Sequence, residues 1–239
     1  MDTAGRAMSD SPFDKHLHAF EECLAAEDVS AARSCMDKLR VAAGADPAEL
    51  AYAEARLAWL EHGAAAALPL LARVIELEVR HADAHYDLGC LAEERGERAE
   101  MIERFLRVRA LDAESDRDGG IGVAEHFDHI ERVAREVLDG LPGMFGERLG
   151  HVPVLIERRP SRALVEDGFD PRAFGLFEGA TDSERDAPAP TRIVLFACNL
   201  LASFPDEPEL SEQIELTLLH EIGHFFGLDE DQLDELGLG

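Results

Sequence analysis

His220, Glu221 and His224 fall in the order His-Glu-Ile-Gly-His over residues 220–224. On a helix, residues four apart lie one turn apart on one face, so both imidazoles reach one ion. Zinc accepts imidazole nitrogen at about 2.0–2.1 Å, and catalytic zinc sites combine three protein ligands with a water. Glu221 follows the first histidine by about 100° of helical turn, which sets a carboxylate beside that water without making it a ligand. Zinc lowers the pKa of such a water toward about 7, and the carboxylate is placed to take its proton. Metal-assisted hydrolysis needs these three residue types at this spacing.

The residues that follow extend the pattern. Gly227 comes three positions after His224 and Glu230 three after that. A glycine stop turns the chain back across the helix end, and an acid ten residues after the first histidine closes the metal site. Asp229, Glu230, Asp231, Asp234 and Glu235 are the acids in reach. Asp229 lies two residues past the turn, where its carboxylate points away along the reversing chain. Residues 231–236 read as a short helical turn with Leu233 and Leu236 inward, which leaves Asp234 and Glu235 facing solvent. Leu216, Leu218, Leu219, Ile222, Phe225 and Phe226 make the histidine helix largely buried, and two histidines on such a helix need partners.

The flanking elements must position these groups. The histidine helix begins near Asp206, where Asp206 and Glu209 fit a capping box and Pro208 sits in the first turn, and it runs to Phe226. Arg192–Phe196 is the clearest strand, Val152–Ile156 and Phe174–Phe177 are shorter ones, and Ile121–Leu141 has helical spacing. Thr181–Pro190 is a polar loop. The first half differs: residues 13–111 are rich in Ala, Leu, Glu and Arg and nearly free of proline. Ala32/Met36/Leu39, Ala67/Leu71/Val74 and Met101/Phe105/Val108 recur at intervals of 35 and 34 residues, a period typical of stacked helix–turn–helix units. Between the halves, Asp112–Gly120 is charged and glycine-ended and reads as a linker.

Two resemblances follow from these residues. Ala84–Ala92 with Gly96 and Phe105 resembles a tetratricopeptide repeat, with Leu88-Gly89 where two helices pack and Gly96 at the turn. Thr217–Gly227, with Glu230, Leu233 and Leu236-Gly237, resembles the minimal bacterial zincin-like metallopeptidases, whose motif is HExxHxxGxxD. Phe174–Gly179 is similar to that family's Gly-Leu-aromatic-x-Gly segment, Arg192–Phe196 to its edge strand and Val133–Pro142 to its first helix. The likeness spans about residues 121–239. It implies a small mixed sheet on the histidine helix, with a cleft between sheet edge and helix. By the same resemblance His220, His224 and Glu230 would bind zinc, Glu221 would be the general base, and peptide backbone would add to Arg192, Ile193, Val194, Leu195 and Phe196.

This chain departs from the pattern in three ways. Glu230 replaces an aspartate. No methionine follows Met144, so a Met-turn is absent. The only tyrosines, Tyr52 and Tyr86, lie in the first half, which leaves zinc, a backbone N–H, or an arginine such as Arg185 or Arg192 to steady an oxyanion.

Composition excludes other classes. A net charge of −27 over 239 residues argues against binding nucleic acid or anionic lipid. No apolar run approaches the roughly 20 residues of a membrane span, and no secretion signal opens the sequence. The four cysteines, Cys23, Cys35, Cys90 and Cys198, form no CxxC pair and read as buried thiols of a cytoplasmic protein. His126 and His129 read as a solvated helix start, His151 as a surface histidine with a possible supporting role at the metal, and Cys198 as core. Residues 206–239 hold eleven acids and no Lys or Arg, a solvated surface or a field that draws in metal and cationic peptides.

The expectation is a two-part chain: tetratricopeptide-like helical repeats over 13–111, a linker over 112–120, and a small α+β zincin-like domain over 121–239. The corresponding function is zinc-dependent peptide hydrolysis, with the repeats recruiting a protein. The competing class is a protein-binding scaffold whose zinc is structural or vestigial, and Glu221, which a structural site does not require, distinguishes the two.

Overall fold

The computed structural model describes residues 11–149, 152–182 and 191–238. His151 and Arg185, together with residues 183–190 of the expected loop, lie outside them. The described residues divide into two compact units, one of residues 11–112 with Ala163–Gly168, the other of Ala113–Arg162 with Phe169 onward.

The first unit is helical: α1 (Pro12–Ala25), α2 (Val29–Val41), α3 (Pro47–His62), α4 (Ala64–Leu77), α5 (Ala82–Glu94) and the start of α6 (Arg98–Gly119). Side-chain caps set several starts. Ser11 accepts from the Asp14 N–H, Asp28 from Ala31 and Asp46 from Ala48 and Glu49, each satisfying a donor that the first helical turn leaves open. Successive helices pack in antiparallel pairs, with a left-handed residue between the two members of each pair: Glu27 (φ +53°), Gly63 (φ +81°) and Gly96 (φ +70°). The three apolar triplets that recur in the sequence lie on α2, α4 and α6, and all nine side chains are buried. Gly89 matches the expected close approach: a Cβ there would stand 2.5 Å from the Phe105 ring. Cys23 on α1 and Cys35 on α2 bring their sulfurs to 3.8 Å, a proximity that the 12-residue separation did not announce. Residues of α9 (Arg162–Glu166) belong to this unit, with Val165 buried among Ala92, Met101 and Phe105.

The expected linker is instead helix. Residues 112–119 form the last two turns of α6, and Asp112 and Asp116 are buried. The reason lies some 40 residues away. Arg159 grips both oxygens of Asp116 at 2.7 Å and also donates to the Oδ1 of Asn199. A charged stretch that looks solvated by composition is folded because its charge is paired.

The second unit adds α7 (Ala124–Gly140), α8 (Gly143–Leu149), β1 (Val154–Glu157), β2 (Gly175–Glu178), β3 (Arg192–Phe196), α10 (Ala197–Ser203), α11 (Glu207–Phe225) and α12 (Glu230–Glu235). The strand order is β1-β3-β2, with β1 parallel and β2 antiparallel to β3. Arg192–Phe196 is therefore the central strand and not an edge. Ile193, Val194, Leu195 and Phe196 are buried, and both backbone sides are taken by neighbouring strands. Substrate backbone cannot add to it.

Leu210, Ile214, Leu218, Ile222 and Phe225 form the core stripe of α11 and join Ile130, Val133 and Ala134 of α7 with Ile193 and Leu195 of β3. Asp206 occupies the N-cap position of α11 but makes no side-chain cap bond, so the expected capping box is not formed there. It forms at α12: the Asp229 carboxylate accepts from the Gln232 N–H at 3.0 Å, and the Gln232 side chain accepts from the Asp229 N–H at 3.0 Å. Leu233 of α12 is buried as expected, whereas Leu236 is exposed. Among the described residues no helix is long and apolar enough to cross a membrane.

Candidate metal centre

The face of α11 that adjoins the core stripe carries Gln213, Thr217, His220, Glu221 and His224, with Leu216 alongside. Facing them across a cleft of about 530 Å³ are Phe169, Phe174, Gly175 and Phe177, with Glu230 and Leu238 at one end. Of these, Gln213, Phe169 and Leu238 carry no sequence expectation, and Thr217 enters only as the start of the resembling segment. The helical spacing of 213, 217, 220 and 224 is the signal available for Gln213.

At Gly227 (φ +85°) α11 stops, and the Leu228 N–H closes on the Gly223 carbonyl at 3.0 Å, a Schellman-type ending. The reversed chain starts α12 with Glu230, and Gly223 leaves no room for a Cβ against Leu233, so α12 sits tightly on α11. His220, His224 and Glu230 each offer a ligand atom within 4.8 Å of the others, the one such group of three among the described residues. The two histidine Nε2 atoms are 2.9 Å apart, and Glu230 oxygens lie 3.3 Å from His224 Nε2 and 3.7 Å from His220 Nε2. Ligands of a tetrahedral zinc at about 2.0–2.1 Å are about 3.3 Å from one another.

The donor chemistry fits a cation as well as the spacing does. His220 Nδ1 lies 2.8 Å from the Leu238 carbonyl oxygen and His224 Nδ1 3.1 Å from the Leu228 carbonyl oxygen. A carbonyl only accepts, so in the neutral rings each Nδ1 carries the proton and each Nε2 presents a lone pair. Two lone pairs facing each other at this distance repel, and either a shared proton or a metal ion between them removes the repulsion. Of the other acids, Asp229 is committed to the α12 cap, while Asp231, Asp234 and Glu235 lie exposed on α12 outside the trio.

Glu221 is only 6% exposed and is not part of the trio. Burial pushes its carboxyl above the ordinary carboxylate range. The His220 and His224 imidazoles, and the Phe177 N–H that it accepts, pull it back down. Its seat depends on Gly175, where a Cβ would stand 2.6 Å from Glu221 Oε1, 2.8 Å from Thr217 Cγ2 and 2.9 Å from Glu221 Cγ. Gly175→Ala is expected to displace the carboxylate or the strand and to lower any hydrolysis at least tenfold, with zinc content unchanged. Parallel activity and elemental measurements on that variant test this.

The remaining expected residues lie elsewhere. Arg192 bonds Glu178 across the strands at 2.6 Å and does not line the cleft, so it is not placed to steady an oxyanion there. His126 accepts from the Gly122 N–H, and His129 meets Arg132 and, at 3.5 Å, Glu207. Neither approaches the trio. Cys198 is buried, and its burial and Asp116 push the thiol up to about 11, which suits an inert core residue.

A small three-stranded sheet packs on a helix that carries His-Glu-x-x-His, and a carboxylate returns to the two histidines after a glycine stop. Residues 149–239 match the zincin-like metallopeptidase family. No curated protein matches the chain.

Proposed function

We propose that the second unit is a zinc-dependent peptidase. The supporting observation is the donor set itself: two imidazoles with their Nε2 lone pairs turned together, a carboxylate completing the triangle, and a buried carboxylate beside them that is not a ligand. His220, His224 and Glu230 would hold the ion. Two neutral rings and one carboxylate leave the site with a net charge of about +1. Zinc, when bound, supplies positive charge that acidifies a water and polarises a carbonyl. Glu221 accepts the proton of the attacking water and returns it to the leaving amine. Its burial beside Phe177 keeps bulk water away and fixes the carboxylate's direction.

The strand that substrate would pair with is β2. The Phe174 carbonyl accepts from the Phe196 N–H, so by alternation the backbone groups of Gly175 and Phe177 face away from β3. Of that edge, the Phe177 N–H is taken by Glu221, and no described strand pairs with the other outward groups. The edge borders the cleft, and an extended peptide bonding to those groups would pass the metal. The walls offered by Phe169, Phe174, Leu216 and Leu238, with no Lys or Arg among the described lining residues, suit an apolar side chain and offer no partner for a free carboxylate. An endopeptidase acting beside apolar residues follows.

The helix pairs of the first unit read as tetratricopeptide-like repeats that recruit a protein, because stacked pairs present a concave surface and their residues offer no catalytic group. A purely structural zinc site would gain nothing from a buried acid at 221 that is not a ligand, which disfavours the scaffold alternative. The deciding experiment is peptide hydrolysis by the intact protein with and without a chelator. Activity lost on chelation and restored by zinc supports the proposal. Chelator-independent hydrolysis, or none on any apolar peptide in a zinc-loaded protein, refutes it.

A further inference from the structure

The two histidines are oriented by the same backbone device used twice in tandem. At the end of α11, Gly227 turns left-handed, the Leu228 N–H closes on the Gly223 carbonyl, and the Leu228 carbonyl receives His224 Nδ1. At the end of α12, Gly237 turns left-handed (φ +73°), the Leu238 N–H closes on the Leu233 carbonyl at 3.0 Å, and the Leu238 carbonyl receives His220 Nδ1 at 2.8 Å. The second copy comes from a segment 18 residues beyond the histidine that it serves. It reaches back because Leu233 is buried against Gly223, which pins α12 beneath α11.

We propose that the Gly237-Leu238 turn is a positioning element of the metal centre: the Leu238 carbonyl locks His220 in the tautomer and rotation that aim Nε2 at the ion. The proposal rests on the zinc reading of the trio. A carbonyl partner on the far ring nitrogen fixes a ligand's orientation and raises its basicity, and losing such a partner typically costs about 10–100-fold in metal affinity. Because the group is main chain, the side chain at 238 carries none of this role. The residue that matters in sequence terms is Gly237, since a β-branched residue at positive φ is strongly disfavoured whereas asparagine tolerates it.

The test uses the full-length protein with Gly237→Val, Gly237→Asn and a chain ended after Leu236. Two quantities are read: zinc affinity by competition with a chromophoric chelator, and the His220 and His224 tautomers from imidazole nitrogen–proton correlations in the metal-free protein. Gly237→Val and the shortened chain are expected to bind zinc about 10–100-fold more weakly. In both, His220 should lose its pure Nδ1–H tautomer while His224 keeps its own, and Gly237→Asn should restore both readouts. Wild-type affinity and an unchanged His220 tautomer in the Val and shortened variants would overturn the proposal. Equal disturbance of both rings would also overturn it, in favour of general loosening of α12. No zinc uptake by the wild-type protein, together with a tautomer change at His220 alone in the Val and shortened variants, would sink the zinc reading and uphold the orienting role of the turn.

Discussion

Glu221→Gln is expected to reduce chelator-sensitive hydrolysis by about 10²–10⁴, the usual contribution of a positioned general base, which is at least about 2.7 kcal/mol of barrier. The substitution preserves volume in a buried position, and the amide oxygen can still accept the Phe177 N–H. What it removes is the ability to take a proton. Zinc content should not change, because Glu221 lies outside the ligand trio. Measuring kcat/KM and bound zinc on the same preparation separates a lost base from a lost metal. Unchanged turnover would take Glu221 out of the mechanism, and loss of zinc along with turnover would mean that it serves the site structurally.

The second large effect concerns stability. Asp116→Ala leaves the buried Arg159 guanidinium without its bidentate partner. Breaking a buried pair on one side typically costs about 3–5 kcal/mol, because the remaining charge stays in the interior. The pair also extends toward the cleft: Arg159 bonds the Asn199 side-chain oxygen, and the Asn199 amide donates to the carbonyls of Pro171 and, at 2.6 Å, Ala173, just before β2. Urea unfolding should show a lower midpoint with an unchanged slope. A loss below about 1 kcal/mol would mean that the pair is solvated in solution and contributes as surface bridges do.

These two residues mark the limits of sequence reading in this chain. Glu221 was legible because its role depends on neighbours three residues away at most, and helical geometry converts that spacing directly into a face. Helix α11 and strand β3 were found within a residue for the same reason. Asp116 was not legible, because its partner is separated by 43 residues and composition alone makes 112–120 look solvated. Strand order failed likewise. Ile193-Val194-Leu195-Phe196 is a continuous apolar run, and such runs belong to strands buried on both faces. The family likeness to an edge strand outweighed that signal, yet the run fits the central position that β3 occupies. Glu230 was narrowed from several acids by motif spacing, and the structure adds the physical reason. Asp229 spends its carboxylate on the α12 cap, and the first residue of that helix is the one delivered beneath the imidazoles. The Leu238 carbonyl left no trace in side-chain identity at all, since only Gly237 hints at the turn that presents it.

Zinc held by His220, His224 and Glu230 is the step on which the proposed hydrolysis depends. Elemental analysis of protein prepared without chelator, followed by zinc titration of the metal-free form, tests it most directly. One zinc per chain is expected, with loss of that zinc in His220→Ala and His224→Ala, affinity weakened well over tenfold in Glu230→Ala, and no change in Asp231→Ala. A metal-free protein that takes up no zinc, or an Asp231→Ala variant that loses it while Glu230→Ala does not, would contradict this ligand set.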